Sequence, residues 1–205
     1  MQKINELKLV PVVVLDDAKD AAPLAEALIG GGLPCAEVTF RTAAAADSIK
    51  AMSKYPELCL GAGTVLSVDQ VKQAVDCGAK YIVTPGFNPK VVGYCVENKI
   101  PICPGVCGPT EIEMGLEFGL KVLKFFPAEA YGGLKTLKAI CAPYGMVKFI
   151  PTGGISPDNV CSYLAFNKVF ACGGSWMVAK DLVTAGNFAE ITRLTQEAVA
   201  LVKGV

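Results

Sequence analysis

The 205-residue chain contains no histidine. That absence excludes Ser-His-Asp and Cys-His nucleophile systems and zinc sites built on imidazole, so general acid or base work falls to Glu, Asp, Lys, Tyr or Cys. Net charge is also missing. Nineteen Lys plus Arg balance nineteen Asp plus Glu, which removes the broad positive field of a non-specific nucleic-acid binder. Any acidic ligand must therefore be held by local groups. No apolar run approaches membrane-spanning length, and "LVPVVVL" runs straight into Asp16 and Asp17 without a small-residue cleavage site. The expectation is a cytoplasmic protein with no signal peptide and no membrane contact.

Cysteine, by contrast, is plentiful. The nine cysteines are odd in number and irregular in spacing, and most sit in apolar stretches such as "LCLGAG" and "FACGGS", where a thiol packs as a small hydrophobe. Cys103 and Cys107 stand four apart in "CPGVC", but no second pair and no histidine completes a metal site. They read as reduced thiols, with no metal expected.

Hydrophobic residues make up 52% of the chain and charged residues 19%, the balance of a globular protein rather than a disordered one. The length suits one domain over residues 1–205 with a large core. Short apolar runs alternate with segments of helical spacing to the end of the chain. The strand candidates are "LVPVVVL", "CAEVTF", "LCLGAGTV", "KYIVTP", "PICPGV", "KVLKFF", "VKFIPTGG" and "KVFACGG". Between them, "AAPLAEALIGGG", "VDQVKQAVDCGA", "PTEIEMGLEFGL" and "LKTLKAICAPYG" carry apolar positions three and four apart, and "FAEITRLTQEAVALVKGV" closes the series. Eight βα units with near-continuous apolar strands predict a closed (β/α)8 TIM barrel over an open doubly wound sheet. A dinucleotide-binding reading is weaker, because "GAGTVL" lacks the full G-x-G-x-x-G pattern.

That fold makes Lys124, in the middle of "KVLKFF", conspicuous. Both faces of a barrel strand are dry, and alternation puts Val122, Lys124 and Phe126 on one face, Leu123 and Phe125 on the other. Lys80, Lys148 and Lys168 stand at strand starts, where water is in reach; Lys124 does not. Desolvation favours the neutral form of a buried amine, and a neutral amine is a nucleophile toward ketones. The sequence therefore points to a Schiff-base lysine, the plainer reading being a structural lysine whose stem snorkels to the rim beside a carboxylate.

Its companions lie on other strands. In "CAEVTFRT", Cys35, Glu37 and Thr39 share a face, so Glu37 enters the same interior; it is either a proton shuttle or a plain ion-pair partner. Arg41, just past that strand, is a candidate clamp for a substrate carboxylate or an ordinary surface arginine. "PTGGIS" and "CGGSW" end the last two strands. There the backbone N–H groups of Gly153, Gly154, Gly174 and Ser175 could converge on a phosphate, or the glycines could serve only as tight turns. Two such turns on adjacent strands favour phosphate.

Taken in order, "VPVVVL", "EVTFRT", "GAGTVL", "TPGFNP", "PICPGV", "KFFPAEA", "PTGGISPDN" and "GGSWMV" resemble the 2-keto-3-deoxy-6-phosphogluconate (KDPG) aldolases, also called 4-hydroxy-2-oxoglutarate (KHG) aldolases, over essentially the whole chain. The resemblance implies a class I, pyruvate-dependent lyase without metal or organic cofactor. Lys124 would form the Schiff base and Glu37 would be the general acid/base. Arg41, Thr64 and Pro85 would line the pyruvyl end, with Phe126 and Thr152 bordering the site and Gly153, Gly154, Gly174 and Ser175 holding phosphate. It also implies a small phosphorylated 2-keto acid as substrate and a homotrimer as the assembly. Two other functions fit the barrel. A phosphosugar isomerase or epimerase would keep the two glycine turns but has no need of a mid-strand lysine, and a non-catalytic phosphometabolite-binding protein would bind without turnover.

Overall fold

The computed structural model describes residues 1–204. Nine parallel strands run in it: β1 (Leu9–Val13), β2 (Cys35–Thr39), β3 (Cys59–Gly63), β4 (Tyr81–Val83), β5 (Ile102–Cys103), β6 (Gly105–Val106), β7 (Val122–Phe125), β8 (Lys148–Pro151) and β9 (Cys172–Gly174). The helices are α1 (Gln2–Leu7), α2 (Ala21–Gly30), α3 (Ala45–Met52), α4 (Val68–Asp76), α5 (Pro89–Glu97), α6 (Pro109–Glu117), α7 (Gly133–Cys141), α8 (Val160–Leu164), α9 (Lys180–Thr184) and α10 (Phe188–Val202). Local chemistry sets several of their starts. Ser67 accepts from the Gln70 N–H ahead of α4, and Asn88 accepts from Lys90 with Pro89 opening α5, which satisfies amide groups that a first helical turn leaves orphaned.

The ladders join β5-β4-β3-β2-β1-β9 in one run and β6-β7-β8 in another. All eight strand segments read from the sequence are present, but the fifth is divided in two at Pro104, which has no N–H to give to a ladder. Its carbonyl still accepts from the Lys124 N–H at 2.9 Å, so the chain carries one run into the other. Between β8 and β9 two isolated bridges, Phe149 with Val169 and Thr152 with Gly173, replace a ladder. The eight strand positions form a (β/α)8 barrel whose seams are looser than a uniformly laddered sheet.

Two apolar layers follow from strand alternation. Leu123, Phe125 and Phe149 face the helices with Leu137 and Ile112, whereas Val10, Cys35, Tyr81, Val83, Cys103, Ile150 and Ala171 fill the barrel interior. Two helices, α1 and α9, were not legible in the sequence, and α9 buries only Val183. α1 has a single buried residue, Ile4, at 1% exposure, too little to give a periodic signal. Ile4 packs with the interior cluster and closes the end where the strands begin.

Candidate active site

Alternation along β7 turns Lys124 inward, and the same rule turns Glu37 inward from β2. Counting β5 and β6 as one position, these strands are the second and sixth of eight, on opposite sides of the ring. Two long side chains are needed to bridge that interior. Lys124 Nζ reaches Glu37 Oε1 at 3.2 Å, and both residues are buried, at 5% and 4% exposure. Ile4, Val10, Tyr81, Val83, Cys103 and Ile150 surround the pair below, leaving a residual space of only about 10 Å³. Above it, the Lys124 ammonium lies 5.1 Å from the centre of the Phe126 ring, within cation–π range.

Two titratable groups beside the pair, Tyr81 and Cys103, are held uncharged. Burial pushes the Tyr81 phenol well above its ordinary value, with Cys35 and Glu37 adding to it, and its hydroxyl donates to the Ala36 carbonyl at 3.3 Å. Burial likewise pushes the Cys103 thiol up to about 12. A thiol kept protonated is a poor nucleophile, so the amine of Lys124 has no competitor beside it.

A cleft of about 450 Å³ opens at the strand C-terminal end, where barrel active sites lie. Arg41, Phe126, Thr152, Gly153, Gly154, Gly174 and Ser175 all line it, together with Trp176 and Lys180. Arg41 is exposed and has no carboxylate within ion-pair distance among the described residues. Among the described residues no acidic side chain lines the cleft. It is therefore locally positive in a protein of zero net charge. Thr64 and Pro85 lie outside this lining, just past the ends of β3 and β4. Pro85 abuts Gly105, where a Cβ would fall 2.1 Å from the Pro85 carbonyl oxygen, and Gly105 is in register with Lys124. Thr64 has φ 55°. Such a left-handed conformation is costly for a β-branched residue and occurs where surrounding structure imposes it.

The glycine turns are held from behind. The Glu129 N–H donates to the Gly153 carbonyl at 3.0 Å, and Asn159 Nδ2 donates to the Gly154 carbonyl at 3.0 Å. The N–H groups of Gly154 and Ser175 have no acceptor among the described residues, whereas the parallel bridge of Thr152 with Gly173 turns the Gly153 N–H toward the Gly173 carbonyl. Free amides on a cationic cleft make a concavity of the kind that suits an anion. The two glycines have φ 96° and 81°, and a Cβ on Gly154 would meet Glu129 Cβ at 2.6 Å. A side chain at that position would strain the turn rather than obstruct the cleft. Gly174 is also required by packing, since its Cβ would fall 1.9 Å from the Trp176 ring.

Sequence reasoning missed several supporting residues. A Cβ on Gly63 would lie 2.2 Å from Glu37 Oε1, and one on Gly61 would lie 2.2 Å from the Tyr81 ring. These glycines make the room in which the carboxylate and the phenol sit. Glycine inside a strand was the available signal. Lys180, the second cation of the cleft, is paired with Asp16 at 2.8 Å and carried no motif.

The family model for KDPG and KHG aldolase matches residues 1–194. A 2-dehydro-3-deoxy-phosphogluconate aldolase of Treponema pallidum is 48% identical over 202 residues, covering 98% of this chain and 96% of that protein. Among solved structures, the KDPG aldolase of Zymomonas mobilis with 3-phosphoglycerate superposes with a TM-score of 0.92 at 40% identity, covering 98% of this chain and 94% of that one. The KDPG aldolase of Legionella pneumophila, with pyruvate captured as a covalent carbinolamine, gives 0.91 at 37% identity and 95% coverage of both chains. The chain belongs to the KDPG and KHG aldolase family of lyases.

Proposed function

We propose that the protein cleaves 2-keto-3-deoxy-6-phosphogluconate to pyruvate and glyceraldehyde 3-phosphate through a Schiff base on Lys124, and 4-hydroxy-2-oxoglutarate to pyruvate and glyoxylate by the same route. The observation that carries this reading is the buried contact of Lys124 with Glu37 on the barrel axis, directly beneath a cationic cleft. The Lys124 amine adds to the C2 carbonyl, and loss of water from the carbinolamine leaves an iminium. Glu37, directly or through one water, takes the proton of the C4 hydroxyl. The C3–C4 bond then breaks, its electrons pass into the iminium, and the aldehyde departs from the remaining enamine. Protonation of the enamine carbon and hydrolysis release pyruvate and restore the amine. Arg41 offers the substrate carboxylate a planar pair of donors. Thr64, Pro85, Phe126 and Thr152 shape the pyruvyl end, and Gly153, Gly154, Gly174 and Ser175 receive the phosphate.

Borohydride added with pyruvate tests the central step: a reduced pyruvyl adduct is expected on the tryptic peptide containing Lys124 and on no other. An adduct elsewhere, or none, overturns it.

The phosphate assignment has its own test. Ser175 is exposed in the cleft, so its hydroxyl joins the backbone N–H groups in receiving the phosphate, and a hydrogen bond to a charged group is worth about 1.5–3 kcal/mol. Ser175→Ala should therefore lower kcat/KM for the phosphorylated substrate roughly tenfold or more, while 4-hydroxy-2-oxoglutarate turnover stays within a few-fold. An equal fall for both would assign the residue to architecture. Gly154→Ala is a poorer probe, because strain against Glu129 would affect both substrates.

Among the described residues no helix is long and apolar enough to cross a membrane. A cytoplasmic homotrimer is part of the same proposal; the trimer rests on family resemblance, the location on the sequence features given above. A stable monomer or dimer by light scattering, or recovery of the protein outside the soluble cell fraction, would remove it.

A further inference from the structure

At the closed end of the barrel lies a pair of thiols that the aldol chemistry does not use. Cys35 opens β2 and Cys59 opens β3, and the two are register partners. Both side chains belong to the interior layer, Cys35 fully buried and Cys59 packed against the same cluster while partly open to solvent. In-register residues of neighbouring parallel strands stand about 4.8 Å apart, inside the Cα separation of roughly 4.4–6.8 Å that a disulfide requires. Cys35 Sγ lies 3.8 Å from the Tyr81 hydroxyl. Lys80 is fixed beside the start of β3, donating to the carbonyls of Pro56 at 3.2 Å and Leu58 at 2.8 Å. We propose that Cys59 and Cys35 form an oxidant-sensitive dithiol site, at which Cys59 attacks hydroperoxides and Cys35 converts the product to a disulfide.

The electrostatics agree with this division of roles. The neighbouring Cys35 thiol is the main influence lowering Cys59 to about 7 against desolvation, with help from the N-terminal ammonium, Lys80 and Lys3, while Cys35 itself is raised well above its ordinary value by Cys59 and by burial. Burial instead raises Cys95 to about 11 and Cys103 and Cys172 to about 12. Thiolate character together with access selects the cysteine that oxidises first. In the first step the Cys59 thiolate attacks one peroxide oxygen; an S–O bond forms, the O–O bond breaks, and the departing hydroxide or alkoxide takes up a proton. The Cys35 sulfur then attacks the sulfenic sulfur, forming the S–S bond as the S–O bond breaks, and water leaves with the Cys35 proton. Two thiols lose two electrons to one hydroperoxide. The disulfide would lie one inward-facing position before Glu37 on β2.

The two cysteines fall in separate tryptic peptides, residues 20–41 and 55–72, each holding one cysteine. In the reduced full-length protein, limiting iodoacetamide at pH 7 should label Cys59 at least tenfold faster than any other cysteine. Stoichiometric hydrogen peroxide should link peptides 20–41 and 55–72, reversibly with dithiothreitol. Cys35→Ser should stop at a Cys59 sulfenic acid that dimedone captures. Preferential labelling of another cysteine, oxidation of the parent protein without the 35–59 link, or no dimedone adduct on Cys59 in the Cys35→Ser protein would each overturn the proposal.

Discussion

Lys124→Met is expected to reduce turnover by a factor on the order of 10⁴–10⁶, the scale on which loss of a covalent nucleophile acts. The other amine of the cleft, Lys180, is exposed and paired with Asp16 at 2.8 Å. Lys80, Lys148 and Lys168 donate to backbone carbonyls at the strand N-terminal end of the barrel, away from the cleft. Methionine keeps most of the apolar stem, so packing against Phe126 survives while the nucleophile does not. The variant also leaves the Glu37 carboxylate buried without its cation, a change that typically costs about 3–5 kcal/mol. A lower melting temperature should accompany the loss of activity. Lys124→Met with Glu37→Gln removes the stranded charge and should melt above the single variant, although it remains inactive. Residual turnover within 100-fold of the parent in folded Lys124→Met protein would show that the lysine is structural.

Glu37→Gln separates chemistry from binding. The amide preserves length and an acceptor oxygen but cannot carry the proton of the C4 hydroxyl, so kcat should fall by roughly 10²–10⁴. Imine formation requires only the amine and the ketone, so borohydride trapping of pyruvate at Lys124 should persist. This combination is what a structural carboxylate would not give. If Glu37 only neutralised Lys124, Glu37→Gln would alter stability and leave kcat within a few-fold. Gly63→Ala approaches the same carboxylate from the adjacent strand, because its Cβ would fall 2.2 Å from Glu37 Oε1. It should displace Glu37 and lower kcat in the same direction without changing an ionisable group.

Much of this was written into the local pattern of the chain. The eight apolar runs and the helical spacings between them specify a (β/α)8 order, because period-two and period-3.6 burial are properties of sequence alone. The same periodicity put Lys124 and Glu37 on inward faces, and the glycine turns after β8 and β9 marked the cationic cleft in advance. Closure of the ring decided the rest. Only a barrel brings β2 and β7 face to face across a shared axis, so only the tertiary structure could set Nζ 3.2 Å from Oε1. It also explained Gly61, Gly63, Gly105 and Gly174, each small because a side chain or carbonyl from another strand or turn occupies the place of its missing Cβ. α1 escaped the sequence reading because one buried isoleucine carries no period, and the break of the fifth strand at Pro104 because the ladder is lost there while the chain direction is kept. Periodicity records which face a residue shows; which residues meet on that face depends on how the strands come round.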